Sequence, residues 1–472
     1  LRKIELEEAM RATSPVRSIS PDASLTAELS ERIAATRYDD LPEDICQLTR
    51  QCLLDWLAVT LAGSREDLAR ILLDEAVEQG GNPAASLVGF HIRVPTQQAA
   101  LVNGAISHAL DYDDVNLTMS GHPSAPIVAS LLALADARGA TGRDVIAAFV
   151  AGYETTCRIG ALVAPGHYGR GFHATATVGS FGAAAACARL LGLDAGKIAI
   201  ALGIAGTQAA GLKSMFGTMC KPLHAGKAAQ NGLIGATLAA RGFTARPDVL
   251  ECAQGFAATQ SPDFHPDRAL AEPPRGYHLR DNLFKYHAAC YLTHAPIECG
   301  RKIRAELRAD HYVEPAAIRD VVLRVDAGAS KVCHILAPRT GLEAKFSLRL
   351  TSALALSGID TASLETYGGA TVNDPAIAAL RDRVSVEFQP GWPHAAAEMR
   401  VTMGDGRVLE ARHDASSPEA DVAAQGNRIA AKFHSLAAPV LGARGAEELS
   451  RAVAGLDTQG SLGEITRLCV PA

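Results

Sequence analysis

The chain has 472 residues, 48% of them hydrophobic and only 5% aromatic, with a formal net charge of −6. Phosphate backbones demand a concentrated basic face, so this balance argues against a nucleic-acid partner. No unbroken apolar stretch reaches the roughly 18 residues that mark a membrane-spanning helix, so no membrane association is expected.

At about 150 residues per domain, the length predicts two or three domains. Residues 1–24 are charged or Ser/Pro-rich and carry no apolar signal-peptide core. The ten cysteines include no CxxC, and most sit in apolar runs such as that around Cys187. That usage predicts a reduced, cytoplasmic protein without disulfides or a zinc site.

In chain order, residues 25–62 read as two helices, the second starting at Pro42 and ending before Gly63. Helices follow over 66–79, 95–110, 123–138, 142–163, 174–191, 194–210 and 224–241, from apolar residues at helical spacing. Thr141 and Asp194 read as helix starts, and Gly139 and Gly192 as stops. Several of these helices are Ala-rich all round, the mark of a buried central helix. Near residue 270 the pattern changes: AEPPRG (271–276) reads as a linker. Val321, Leu323 and Val325 then alternate as in a strand, as do 384–388 and 399–403. The Gly-Asp-Gly at 404–406 predicts a hairpin. Helices are expected at 295–308, 341–355 and 374–381, and the chain is helical again over 417–467. The fold class is therefore mainly α. Residues 20–270 and 415–468 form a large helical domain, with a smaller α+β lid domain, 271–414, inserted between them.

Four segments concentrate polar groups in apolar surroundings: 108–124, 171–179, 216–230 and 285–296. In the first, Asp111, Asp113 and Asp114 precede His122; a carboxylate can orient an imidazole and raise its pKa. The bland alternative is an acidic capping loop. In the second, His173 precedes a small-residue helix, where helix-end amides favour a neutral imidazole or a bound anion; otherwise it is a cap. In the third, Lys221 sits among small apolar residues just ahead of a helix, with His224 following. Desolvation suits such a lysine to act as a base, and its charge suits it to hold a carboxylate; a lysine snorkelling to solvent is the alternative. In the fourth, His294 stands near the domain boundary. Tyr153 could act as a phenol base or be a satisfied core hydroxyl. Asp111, Asp113 and His122 could in principle ligate a metal, but no HExxH or paired-Cys spacing supports one. Phosphate-loop, Rossmann and GxSxG patterns are missing.

These segments, in this order, resemble the MmgE/PrpD family, through HALDYDD, GHPS, GFHATATVG, KPLHAG and PRTGLEAKFSL. The resemblance implies a helical domain with a smaller lid, a homodimer, an active site between the domains and no organic cofactor. It carries the family's active-site positions onto Asp111, His122, His173, Lys221 and His294. The expected site is catalytic Lys221, His122, His173 and Asp111, with substrate contacts from His294, His224, Asp113 and Tyr153. The expected chemistry is proton abstraction beside a carboxylate of a small polycarboxylate. The decarboxylase and dehydratase members usually read Asp-Asp-Thr where this chain reads Asp113-Asp114-Val115. That departure favours an epimerase acting on an iminodisuccinate-like substrate over a 2-methylcitrate dehydratase-like lyase. The decarboxylase reading comes last, because its active-site tyrosine has no match near Val332–His334. A non-catalytic polycarboxylate-binding protein is the alternative from another class.

Overall fold

A computed structural model describes residues 24–309 and 317–471. The reading of residues 1–23, including the first residues of the proposed helical domain, lies outside the described residues.

Helices dominate. Those of eight or more residues are α1 (Leu25–Ala35), α2 (Glu43–Gly63), α3 (Asp67–Gln79), α4 (Thr96–Ser107), α5 (Ser124–Arg138), α6 (Gly142–Val163), α7 (Ala174–Leu190), α8 (Ala195–Gly206), α9 (Cys220–Ala240), α10 (His294–Ala309), α11 (Leu348–Leu356), α12 (Pro375–Asp382) and α13 (Val422–Ala454). Local chemistry sets their ends. Thr141 and Asp144 close a reciprocal capping box at α6. The Asp194 side chain accepts from the backbone of Lys197 at α8. Gly139 ends α5 in the left-handed conformation.

α7 is the central helix: every residue from Ala174 to Ala188 is buried, and α6, α8 and α9 pack on it. Small residues permit that closeness. At the crossing of α4 and α9, a Cβ on Gly226 would lie 2.1 Å from the Leu101 carbonyl, and one on Gly104 would lie 2.8 Å from the Gly226 Cα. Helix α9, which carries Lys221, is thereby seated against α4, which leads into the loop of Asp111.

By length and composition α6 could cross a membrane, contrary to expectation. However, 89% of its apolar window is buried inside the fold, and it carries Glu154 and Arg158. It is a core helix.

A four-stranded sheet follows: β1 (Ile318–Asp326), β2 (Val384–Gln389), β3 (Ala396–Met403) and β4 (Val408–Asp414), in the order β2-β1-β3-β4. The alternating Val321, Leu323 and Val325 are buried and pair with Val401, Met399 and Ala397 across an antiparallel register. The expected hairpin joins β3 to β4. β1 and β2 pair in parallel, which no local pattern foretold. α10 packs on β3, β4 and α11.

Several boundaries differ from expectation: the helix expected over 95–110 ends at Ser107, and that over 417–467 runs as Val422–Ala454 with a short helix at Gly463–Leu468. α8 ends at Gly206 rather than 210. The helix expected over 341–355 is broken into Gly341–Ala344 and Leu348–Leu356, because Ser347 caps the second piece through the Leu350 amide. α9 begins at Cys220 rather than 224, which moves Lys221 into its first turn. α13, from the C-terminal stretch, lies along α2 near the N-terminus.

Candidate active site

α4 ends at Ser107, and the chain turns through His108 to Asp114 before a loop reaches His122 and α5. Asp111 adopts φ +51°, a left-handed conformation that costs a non-glycine residue about 1–3 kcal/mol. The turn aims two carboxylates in different directions.

Asp113 is buried. Both its oxygens accept from His108 Nδ1, at 2.9 and 3.0 Å. His122 Nδ1 stands 3.2 Å from Asp113 Oδ2, and His122 Nε2 lies 3.5 Å from Asp111 Oδ1. His122 therefore sits between the two acids. Burial alone would push the Asp113 carboxyl up, but the two imidazoles hold it well below the usual carboxylate range. Asp111 faces cations: Lys221 Nζ is 2.8 Å from its Oδ1 and Lys285 Nζ is 3.1 Å from the same atom. Burial acts upward there too, and the two ammoniums outweigh it, holding Asp111 well below its ordinary value.

His173 is the N-cap residue of α7, as expected, with its backbone N–H donating to the Gly211 carbonyl at 3.0 Å. Its ring lies 5.7 Å from that of His108 and 5.0 Å from Phe216, and its Nδ1 is 3.1 Å from His224 Nδ1. Burial, reinforced by His108 and Lys221, pushes the His173 imidazole far down. Burial, and then Lys221, lower His224 too. Both are neutral at pH 7, and between two neutral rings one nitrogen donates and the other accepts.

The structure thus brings together Asp111, Asp113, His122, His173, Lys221 and His224. It does not bring in Tyr153, which is fully buried. The Tyr153 hydroxyl donates to Asn282 at 2.7 Å and accepts from Asn116 at 3.2 Å, and burial pushes the phenol well up. Tyr153 is a satisfied core residue, and its proposed substrate contact is corrected accordingly. His294 starts α10, but its ring packs on His287 and Tyr291, with Nε2 3.4 Å from the Ala289 carbonyl. It lines a cleft of about 560 Å³ with Glu298 and Arg428. Burial, then His287 and the Lys285 ammonium, hold its imidazole well below the ordinary value, so it feels the site through Lys285 while its direct partners are the groups just named.

Sequence reading missed His108 and Lys285. His108 had a signal: it stands five residues before Asp113 at a helix end. Lys285 had a weaker one, a lone cation in the apolar run NLFKY.

Burial pushes the His108 imidazole down to about 4, against the opposing pull of Asp113. Its sign in folding follows. Between pH 6.5 and 4 the unfolded chain binds a proton that the folded chain refuses, so this group's contribution to stability is lost as pH falls through that window. The stability gap between wild type and His108→Gln, read from urea midpoints, should therefore narrow from pH 7 to pH 4.5. A gap that widens would mean that His108 is protonated in the fold.

His108, Asp111, Asp113 and His122 each offer a ligand atom, and those atoms lie within 4.8 Å of one another, so the spacing alone could hold a metal ion. The charge opposes it. Asp111 already carries two ammoniums and Asp113 an imidazole N–H, so a divalent ion would face two cations at close range. The same balance suits an anion.

His108, His173 and His224, held neutral, Lys221 reachable from solvent and buried Lys285 behind it form one cluster of groups able to give and take protons. The chain belongs to the MmgE/PrpD family: the MmgE/PrpD N-terminal domain matches residues 27–269 and the MmgE/PrpD C-terminal domain residues 287–458. It is an enzyme of that family. It is similar to the cis-aconitate decarboxylase-like protein oryM of Aspergillus oryzae, at 25% identity over 95% of this chain and 98% of the relative. It is also similar to the cis-aconitate decarboxylase of Homo sapiens, at 28% identity over 83% of each chain. The cis-aconitate decarboxylase of Aspergillus terreus is 28% identical over 60% of each chain.

Proposed function

We propose that the chain is a lyase that develops and quenches carbanionic charge beside a carboxylate of a small polycarboxylate, with cis-aconitate as the first substrate to test. The observation that carries this reading is the double ion pair on Asp111. Lys221 is partly exposed and Lys285 is buried, so an entering carboxylate can take the ammonium face of Lys221 while Lys285 keeps Asp111 ionised. Preorganised cations act most strongly where charge grows in a site with little water.

His122, between Asp111 and Asp113, is the proton carrier. In decarboxylation of cis-aconitate the C–C bond to the departing carboxylate breaks and CO₂ leaves; the electron pair shifts across the neighbouring C=C, and the far carbon, beside a carboxylate, takes a proton from His122 or Lys221, which leaves a terminal alkene. In water elimination one of these groups takes the α-proton while the other protonates the leaving hydroxyl. His108 and His173, held neutral, supply hydrogen-bond partners rather than charge.

The relatives carry lyase names, so the ranking that set decarboxylation last has no support from them. Epimerisation of an iminodisuccinate-like substrate remains the second reading, on one observation. Val115 puts an apolar side chain in the acid-bearing loop, pinned by paired backbone hydrogen bonds with Leu283 at 2.8 Å.

The test is NMR in heavy water with cis-aconitate, 2-methylcitrate and one stereoisomer of iminodisuccinate. CO₂ release with a new terminal alkene, or alkene from 2-methylcitrate, supports the lyase. Deuterium entering the α-position with loss of stereochemistry and no alkene replaces it by the epimerase. Saturable binding without turnover of any of the three would overturn the enzymatic assignment of this site.

A further inference from the structure

The turn that carries Asp111 and Asp113 is strained, and two buried ammoniums take its consecutive carbonyls. Lys285 Nζ donates to the Asp111 carbonyl at 2.5 Å. Lys432 Nζ donates to the Tyr112 carbonyl at 2.7 Å. Lys432 belongs to α13, more than three hundred residues away along the chain. Its ammonium also binds Asp55 Oδ1 on α2 at 2.6 Å and stands 3.9 Å over the Tyr112 ring. The Lys432 and Asp55 side chains are 2% and 1% exposed. The Tyr112 hydroxyl in turn donates to the Ala362 carbonyl at 3.2 Å. The chemistry proposed above uses none of these bonds.

A buried ion pair is seldom kept for stability, because apolar residues of similar volume serve as well or better. What a lysine adds is direction: three donors on one nitrogen can meet a carboxylate, a carbonyl and a ring face at once. Tyr112 sits between Asp111, which faces Lys221, and Asp113, which faces His108 and His122. A carbonyl without its donor would let the left-handed turn relax and swing both carboxylates off their partners.

We propose that Lys432 is a positioning residue: by holding the Tyr112 carbonyl against Asp55 it fixes the turn that aims Asp111 and Asp113 into the site. This rests on the reading of that turn as the catalytic one.

The test compares two double variants, Asp55→Asn with Lys432→Gln and Asp55→Asn with Lys432→Met. Both remove the buried charges, but only glutamine keeps an N–H for the Tyr112 carbonyl. At matched thermal midpoints, the methionine variant should have a kcat lower than the glutamine variant by about tenfold or more, with KM little changed, since a misplacement of about 1 Å can cost about 10²-fold. Equal kcat in the two would overturn the proposal.

A second measurement needs neither turnover nor a variant. In native-state hydrogen exchange of the wild-type chain, the amides of 109–115 should open together with those of α2 and α13 as urea rises. Opening of the loop alone, well before those helices, would overturn the proposal even if the methionine variant does not fold. If the wild type turns over no polycarboxylate, the functional reading fails on its own, and the exchange result still decides the role of Lys432.

Discussion

Lys221→Met should lower kcat by about 10²–10⁴-fold, the usual worth of a positioned proton-transfer group, while the protein stays folded. Three features of Lys221 converge on that expectation. It lies in the first turn of a 21-residue helix, where the helix dipole disfavours a cation by about 0.3–1 kcal/mol, so packing preference does not put it there. Its side chain is 16% exposed, enough to meet a ligand and too little for a solvated surface lysine. Its partner Asp111 is already held by buried Lys285, so losing Lys221 leaves no unpaired buried charge. An ion pair at a half-exposed carboxylate contributes about 1 kcal/mol or less, and the thermal midpoint should move little. Steady-state kinetics on the substrate found by NMR, beside a melting curve, check both halves. A kcat within a few-fold of wild type would remove Lys221 from proton transfer.

Asp113→Asn should be comparably severe, about 10²–10⁴-fold in kcat with KM little changed. Replacing the carboxylate that orients a catalytic imidazole has that effect elsewhere, by presenting the wrong tautomer. Asp113 is buried with both oxygens on His108 Nδ1 and one beside His122 Nδ1. An asparagine has the same outline but offers one acceptor and one N–H pair, so one of the two imidazoles must turn or change tautomer. The charge matters as well as the shape. The carboxylate is what pulls the His108 imidazole up against burial, and without it that ring is harder still to protonate. The pH–rate profile of the variant should therefore lose or shift its acidic limb while the far-ultraviolet spectrum is unchanged. An unaltered profile with normal kcat would reduce Asp113 to a structural partner of His108.

Much of this architecture was legible locally. Thr141 and Asp194 announced helix starts because a cap bonds amides two or three residues away. The all-round Ala content of α7 announced burial. The alternation through Val321, Leu323 and Val325 announced a strand. At the site, Asp111, Asp113, His122, His173, Lys221 and His224 drew attention as polar groups in apolar runs, and the fold gathers them. Tyr153 drew attention as a possible phenol base and His294 as a polar group near the domain boundary; the fold gives Tyr153 core partners and packs the His294 ring on His287 and Tyr291. A buried tyrosine and a buried active-site tyrosine look alike until the partners Asn116 and Asn282 are known.

Most helices and strands, the change of character near residue 270 and the segments that hold the acid–base groups are readable from the chain alone. These depend on backbone preference and on side chains a few residues apart. The packing of distant segments is what makes β1 and β2 pair in parallel, places Lys285 behind Asp111 and brings Lys432 back to Tyr112. The last two partners lie 174 and 320 residues apart along the chain. A buried ammonium has no local preference that reveals its carboxylate or carbonyl. Its energy depends on which distant groups share its low-dielectric surroundings, and those are chosen by the packing of whole helices.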